Sequence, residues 1–403
     1  MPGLKTKIER FAMKSALKSY INSQSESENS IDLHFNLLIE RNGIASSIDR
    51  ILSDLPSENA LVITGPNTYD KLGKDVVEAL GERLDSVEYV VYEDKTLTDW
   101  GVARLFDQLV AVKKGEISEY FTDAIKKNSD YDICFAVGGG KITDLGKIVS
   151  YKNFPYVTIP TQLTSDSAST SFASIEVDGK KVSVTGKHPN RMIAHTKTLR
   201  DSPNLNSGCA DIMAKYVSCE DWKLAHTKSK DIQFSRGLYT ALREGSLAFM
   251  ELINNLDKKN GKIQITENFM DMVVTGIGVA GTLSYATRST QPISGGEHNF
   301  SHALRSNLPH GYPVGVGTII CAYLHGLEWK PVRGTLEYMD APITAEQLGV
   351  SDKECYTAAI KARTIRPRYT ILKNVTDYQI GKAMKKQALS LKASSEQFYR
   401  LLH

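Results

Sequence analysis

Through the first half of the chain, short apolar runs closed by glycine or proline alternate with stretches of helical spacing. Residues 59–64 contain ALVIT and run into Gly65-Pro66, which predicts a buried strand ending in a turn. Helical spacing over 69–84 follows, then a second strand over 87–92 (VEYVVY) and a helical pattern over 100–127. A third strand is predicted over 132–137 (DICFAV), closed by Gly138, Gly139 and Gly140, and a fourth over 156–160 (YVTIP). Strands alternating with helices predict a parallel sheet covered on both faces, with ligands beyond the carboxyl ends of the strands. Residues 172–176 and 181–185 flank Asp178-Gly179, a hairpin signal. From about residue 200 the strand signal fades. Helices are predicted over 211–226, 238–254, 269–284, 315–327 and 351–362, the first with Ile212, Tyr216 and Cys219 on one apolar stripe. The expected fold is an α/β domain over 31–199 followed by an all-α domain over 200–403, with residues 1–30 as an extension in front.

Candidate chemistry is concentrated in two stretches. SGGEHNFSHALRSNLPHG, residues 294–311, carries three of the nine histidines. His298 and His302 are one turn apart, so on a helix they share a face. On a polar helix such a pair is ordinarily solvated. The spacing is not that of an HExxH protease, because Asn299 stands where the general-base glutamate belongs. His310 follows Pro309, and Gly311 allows a tight turn there. A metal reading needs a further ligand from elsewhere. Asp211, predicted in the first turn of a helix after Gly208, has helix capping or dipole pairing as its ordinary use. The second stretch is AVGGGKITDLGK. Glycines after a strand let backbone N–H groups approach a phosphate, and the following helix points its positive end there. It is neither GxGxxG nor a P-loop, and a plain tight turn explains the glycines equally well. The Thr/Ser-rich segment around Asp166 is expected at the same sheet edge.

Composition narrows the classes. With 41% hydrophobic and 24% charged residues, the chain is an ordinary globular protein. A net charge of +3 and no basic cluster interleaved with aromatics exclude a nucleic-acid partner. Five scattered cysteines without CxxC spacing predict reduced thiols and a cytoplasmic location. No apolar run suggests the ~20 residues of a membrane span, and the basic N-terminus lacks an apolar signal core.

Six segments then resemble, in order over residues 33–375, the motifs of bacterial and archaeal sn-glycerol-1-phosphate dehydrogenases. They are GGGKITDLGK, PTQLTSD, SGCADIMAKY, SGGEHNFSHAL, HGYPVGVGTIICAYLHG and RPRYTIL. Those enzymes belong to the wider superfamily of iron-containing alcohol dehydrogenases, glycerol dehydrogenases and dehydroquinate synthases. The resemblance implies a Rossmann-like nucleotide-binding domain followed by an all-α metal-binding domain. It implies that Asp211 joins His298 and His310 on a divalent metal, zinc in this branch. One carboxylate and two imidazoles also accept iron or nickel. His302 is implied near the metal, in substrate contact or on a proton path, and Asp166 as a carboxylate reaching toward the substrate. For NAD or NADP, the resemblance assigns Gly138, Gly139 and Gly140 to the pyrophosphate, with Lys141 and Asp144 beside them. Thr161, Thr164 and Ser165 are assigned to the nicotinamide side. Gly65 stands where NAD-restricted members carry an aspartate, so a 2′-phosphate is not repelled.

The implied activity is a metal-dependent, NAD(P)-linked reduction of dihydroxyacetone phosphate to sn-glycerol 1-phosphate, in a homo-oligomer of two or more chains. The sequence departs from the family pattern at Ser167, at Thr170-Ser171, in the short loop between His302 and His310, and at Ile193-Ala194-His195. The first three line the expected substrate side. They keep open another polyol, another phosphorylated or phosphonate ketone, and a cyclase of the dehydroquinate synthase type. Against the cyclase, Asp211 stands where that branch carries glutamate. Lys215 and Arg305 are the expected cations for a substrate phosphate.

Overall fold

The computed structural model describes residues 37–99, 101–102, 105, 131–151, 153–177, 180–304 and 306–386. The extension over 1–30, nearly all of the helix expected over 100–127, the turn at Asp178-Gly179 and Arg305 lie outside the described residues. The chain gathers into two compact units. One holds Phe35–Leu205 with Met270–Tyr285, and the other holds Asn206–Phe269 with the residues from 286 on. The segment Met270–Tyr285 thus groups with the strand-bearing unit.

In the first unit the strands are β1 (Leu37–Glu40), β2 (Asn59–Thr64), β3 (Ser86–Val91), β4 (Ile133–Gly138) and β5 (Tyr156–Pro160). A hairpin β6 (Phe172–Val177) and β7 (Lys180–Thr185) precedes β8 (Arg191–His195). Six of them form a sheet in the order β1-β8-β5-β4-β2-β3, parallel at every pairing. β1 and β8, at one edge, were not expected. LLIE and RMIAH are too short to carry a strand signal of their own; β8 forms between β1 and β5, and β1 forms on β8. The hairpin is antiparallel, as its turn residues suggest.

The inner strands feed two cores by alternation. On β2 and β4, Ala60, Val62, Ile133, Phe135 and Val137 enter one cluster, with Ile48, Ile51, Val76 and Leu80 from the helices on that face. Leu61, Ile63, Cys134 and Ala136 enter the other, with Ile142, Leu145 and Val149 of the helix Gly140–Val149. Both faces are therefore dry, which is why these strands read as continuous apolar runs.

The helix Glu267–Ala286 is tied to the sheet unit along Met270–Tyr285. Ser169 Oγ donates to the Ile277 carbonyl at 2.6 Å, and Arg41 donates to both Asp271 oxygens at 2.9 Å. A Cβ on Gly281 would fall 2.0 Å from the Ser169 carbonyl oxygen, so only glycine permits this approach. Contrary to the sequence reading, this 20-residue helix is long and apolar enough to cross a membrane by length and composition. Its most apolar window is 72% buried, which marks it as a core helix.

The second unit is built from helices. The pattern over 211–226 was expected as one helix, but the chain breaks at Ala214 into Leu205–Met213 and Lys215–Lys228. The stripe Ile212, Tyr216 and Cys219 is buried as expected. Arg236–Asn254, Gly296–Leu304, Gly311–Leu324, Trp329–Tyr338, Asp352–Lys361 and Asp377–Lys386 follow. The helix Gly311–Leu324 is nearly all buried and carries glycine on more than one side. A Cβ on Gly311 would lie 1.8 Å from the Ser207 carbonyl oxygen, and one on Gly317 would lie 2.8 Å from the Glu297 carbonyl oxygen. Close backbone approach, not a tight turn, is what Gly311 provides.

Candidate metal centre and nucleotide loop

Those close approaches bring three helix segments together. Asp211 lies in the last turn of Leu205–Met213, not in the first turn of a helix. A carboxylate there is poorly placed for the helix dipole. His298 comes from Gly296–Leu304, and His310 immediately precedes Gly311–Leu324. One ligand atom from each of Asp211, His298 and His310 lies within 4.8 Å of the others. The helix carrying His298 and His302 is not a solvated face: Gly296 to Ser301 are all buried.

Asp211 is fully buried, and burial alone would raise its carboxyl. The Lys215 ammonium at 3.4 Å, the His298 Nε2 at 3.1 Å and nearby His310 outweigh that and hold it well below the usual carboxylate range. His310 is pushed down to about 3 by burial and by His298 and Lys215, so it is a neutral lone-pair donor at neutral pH. Ser301 Oγ is 3.3 Å from its Nδ1, which leaves Nε2 for a ligand. His298 has Glu297 Oε1 2.7 Å from its Nδ1, which likewise leaves Nε2 facing Asp211. Two imidazoles and a carboxylate, buried and converging, fit a zinc-type divalent cation, with iron or nickel accepted by the same donors.

His302 is beside this cluster but not in it, its ring centroid 5.5 Å from that of His310. Burial and the Arg366 guanidinium push it down to about 2. Arg366 Nη2 donates to His302 Nε2 at 2.9 Å, so the imidazole proton sits on Nδ1. Arg366 and its neighbour Arg368, which donates to the Ser294 carbonyl and Thr290, were missed as site residues. The sequence held them in RPRYTIL, a motif to which no role was attached. Lys215 is near the cluster as expected, but it is committed to Asp211.

In the α/β unit, β2 is followed in sequence by β3 on one side and by β4 on the other, so the strand order reverses between β2 and β4. Gly65 directly follows β2, and Gly138 ends β4 with Gly139 and Gly140 after it, which places both at the switch point where such sheets bind ligands. The three glycines are not equivalent. A Cβ on Gly138 would meet Ile142 Cβ at 2.6 Å, and one on Gly139 would meet Gln162 Nε2 at 2.3 Å. Their absent side chains let the helix and the segment after β5 close on the strand. A Cβ on Gly140 would meet only Ser167 Oγ, at 3.4 Å. The helix Gly140–Val149 starts there, with first-turn N–H groups that have no partner within the helix. That arrangement fits a dinucleotide pyrophosphate.

Thr161, Thr164, Ser165 and Asp166 follow β5 on this same side. Thr161 N donates to the Gly138 carbonyl at 3.1 Å, and Ser165 Oγ accepts from Ser167 N at 3.3 Å. Asp166 opens a short helical turn, Asp166–Ser169. Lys141 points to the end of β3, donating to the Asp94 carbonyl and lying over the Tyr92 ring. Asp144 is buried in the helix that follows the glycines. Its Oδ1 accepts from Lys147 Nζ at 2.7 Å and its Oδ2 from Ser174 N at 2.9 Å, which anchors the hairpin to the glycine-loop helix. His195 hydrogen-bonds Thr198 at 2.8 Å and ends β8.

The sequence profile of the family described as iron-containing alcohol dehydrogenase matches residues 39–203. Glycerol-1-phosphate dehydrogenase (NAD(P)+) of Methanoregula boonei is 32% identical over 338 residues, 81% of this chain and 86% of the relative. The enzyme of the same name from Pyrococcus furiosus is 35% identical over 324 residues, 78% of this chain and 86% of the relative. Among solved structures, glycerol dehydrogenase from Schizosaccharomyces pombe superimposes with a TM-score of 0.62 at 20% identity, covering 91% of each chain. That likeness shows the fold.

Proposed function

The chain belongs to the glycerol-1-phosphate dehydrogenase family, and we propose that it is a metal-dependent, NAD(P)-linked dehydrogenase that reduces dihydroxyacetone phosphate to sn-glycerol 1-phosphate. The observation that carries this reading is the buried convergence of Asp211, His298 and His310 in a chain with relatives of that name. When bound, a divalent cation supplies Lewis-acid polarisation and the nicotinamide supplies hydride. The residues do the rest. Asp211 stays ionised beside Lys215, neutral His310 offers an Nε2 lone pair, and His298, held at Nδ1 by Glu297, turns Nε2 toward Asp211, where a bound cation would take the place of its proton. Neutral His302 offers its Nδ1 proton as a donor, fixed by Arg366. With Lys215 tied to Asp211, Arg366 is the better cation for a substrate phosphate. Gly65 leaves room for either NAD or NADP at the switch point. All five cysteines are buried and free, which supports a reducing, cytoplasmic compartment.

The test is an initial-rate panel of the zinc-loaded enzyme with dihydroxyacetone phosphate and dihydroxyacetone, using both reduced cofactors. The expected result is a higher kcat/KM for the phosphate ester. A value for dihydroxyacetone equal to it or larger overturns the substrate.

A further inference from the structure

Glu297 sits in the histidine-rich stretch without a role in the function just proposed. It is fully buried. Its Oε1 lies 2.7 Å from His298 Nδ1 and accepts from Gly295 N at 2.7 Å. Two hydrogen bonds on one oxygen hold that carboxylate in a fixed place. The helix N-terminus behind it is held as firmly. Asp221, also buried, accepts from Gly296 N and from Ile371 N, both at 2.6 Å, and pairs with His325 at 2.9 Å. Gly295 passes between the two carboxylates. A Cβ there would lie 2.6 Å from Asp221 Oδ2 and 2.8 Å from Glu297 Oε2. The frame is built for these groups and admits no side chain at residue 295.

A buried carboxylate is costly unless something uses it. Here one oxygen grips the non-ligating nitrogen of a histidine whose other nitrogen faces Asp211 Oδ1 at 3.1 Å. We infer that Glu297 is a positioning residue: by holding His298 Nδ1–H it fixes the tautomer and the ring orientation that present Nε2 to the metal. A carboxylate on the far side of a ligating imidazole also makes it a stronger donor. This rests on the metal site proposed above. It goes beyond that site by giving a non-ligand residue control of metal affinity.

The experiment uses the full chain, stripped with a chelator and titrated with Zn2+ or Co2+ against a chromophoric competitor. Three proteins are compared: wild type, Glu297→Gln and Glu297→Ala. Glu297→Ala is expected to weaken Zn2+ binding by roughly 10- to 100-fold and to change the Co2+ d–d absorption bands. Glu297→Gln keeps a carbonyl acceptor for Nδ1–H and is expected to recover most of the affinity and the wild-type spectrum. Fluorescence titration with NADH, expected unchanged in all three, reports on folding. Wild-type Zn2+ affinity and an unchanged Co2+ spectrum in Glu297→Ala overturn the inference. So does a glutamine variant that loses metal as fully as the alanine variant, because a structural role alone predicts no rescue. If no ketone is reduced but the affinity series holds, the proposed reaction fails and Glu297 keeps its role. If wild type takes up no Zn2+, both fall.

Discussion

The two units handle buried charge in opposite ways. In the α/β unit, Asp144 and Lys147 are buried together, and their partners are accounted for: each other, Ser174 N and the Phe172 carbonyl. The charge is closed within the protein. In the helical unit, Asp211 is met by Lys215 and His298, and the rings of His298 and His302 each lie against that of His310. Glycine serves both units, but for different ends. Gly138 and Gly139 let protein close on protein so that Gly140 stays open; Gly311 and Gly317 let helices touch so that Asp211, His298 and His310 converge. A closed pair therefore signals structure, and a convergent, mutually perturbing set signals chemistry.

The sharpest way to test that contrast is to remove one member of the convergent set. His310→Ala is expected to lose about one metal per chain, and kcat/KM is expected to fall by roughly 1000-fold or more, while NADH still binds. Metal analysis with fluorescence titration checks this, and undiminished metal content refutes the ligand assignment.

Opening the closed pair should do the reverse. Lys147→Met leaves Asp144 buried without its cation, which costs about 3–5 kcal/mol. Thermal unfolding should show a lowered Tm, with metal per chain unchanged below the transition. A wild-type Tm would mean that the pair does not hold the hairpin.

The smallest effect is expected at the switch point. A Cβ on Gly65 would meet its nearest neighbours at 3.4–3.7 Å, ordinary contact distance, and the backbone there is extended. Gly65→Asp should therefore fold normally and weaken NADPH by roughly 10- to 100-fold, about 1.4–2.7 kcal/mol, with little change for NADH. Equal weakening of both cofactors would remove Gly65 from 2′-phosphate tolerance.

What could be read from the sequence follows the same division. The inner strands of the sheet were legible because both of their faces are buried, so the apolar run is continuous. β1 and β8 were not, because LLIE and RMIAH are neither continuous apolar runs nor clean alternations and form on their neighbours in the sheet. The metal triad was visible as residue types, but its convergence depends on helix crossings at Gly311 and Gly317, and no local pattern reports a crossing. Asp144 lies in the helix after the glycines, but its ion pair with Lys147 one turn on was not readable from the sequence. Arg366 was hidden for the complementary reason: its partner, His302, is distant in the chain. The break at Ala214, in the middle of an uninterrupted amphipathic stripe, moved Asp211 from the first turn of a helix to the last turn of another.

The glycines of the helix Gly311–Leu324 have a consequence for how this centre tolerates change. At Gly311 the space for even one methyl group is occupied by the Ser207 carbonyl. The separation of His310 from Asp211 is thus set by main-chain spacing, which point substitutions can widen but not narrow. Random mutagenesis scored for metal loss should recover positions that carry no donor atom at all. Attempts to retune the centre for a larger cation have a route through these glycines, whereas a tighter cage would require shortening a distance that is already at contact.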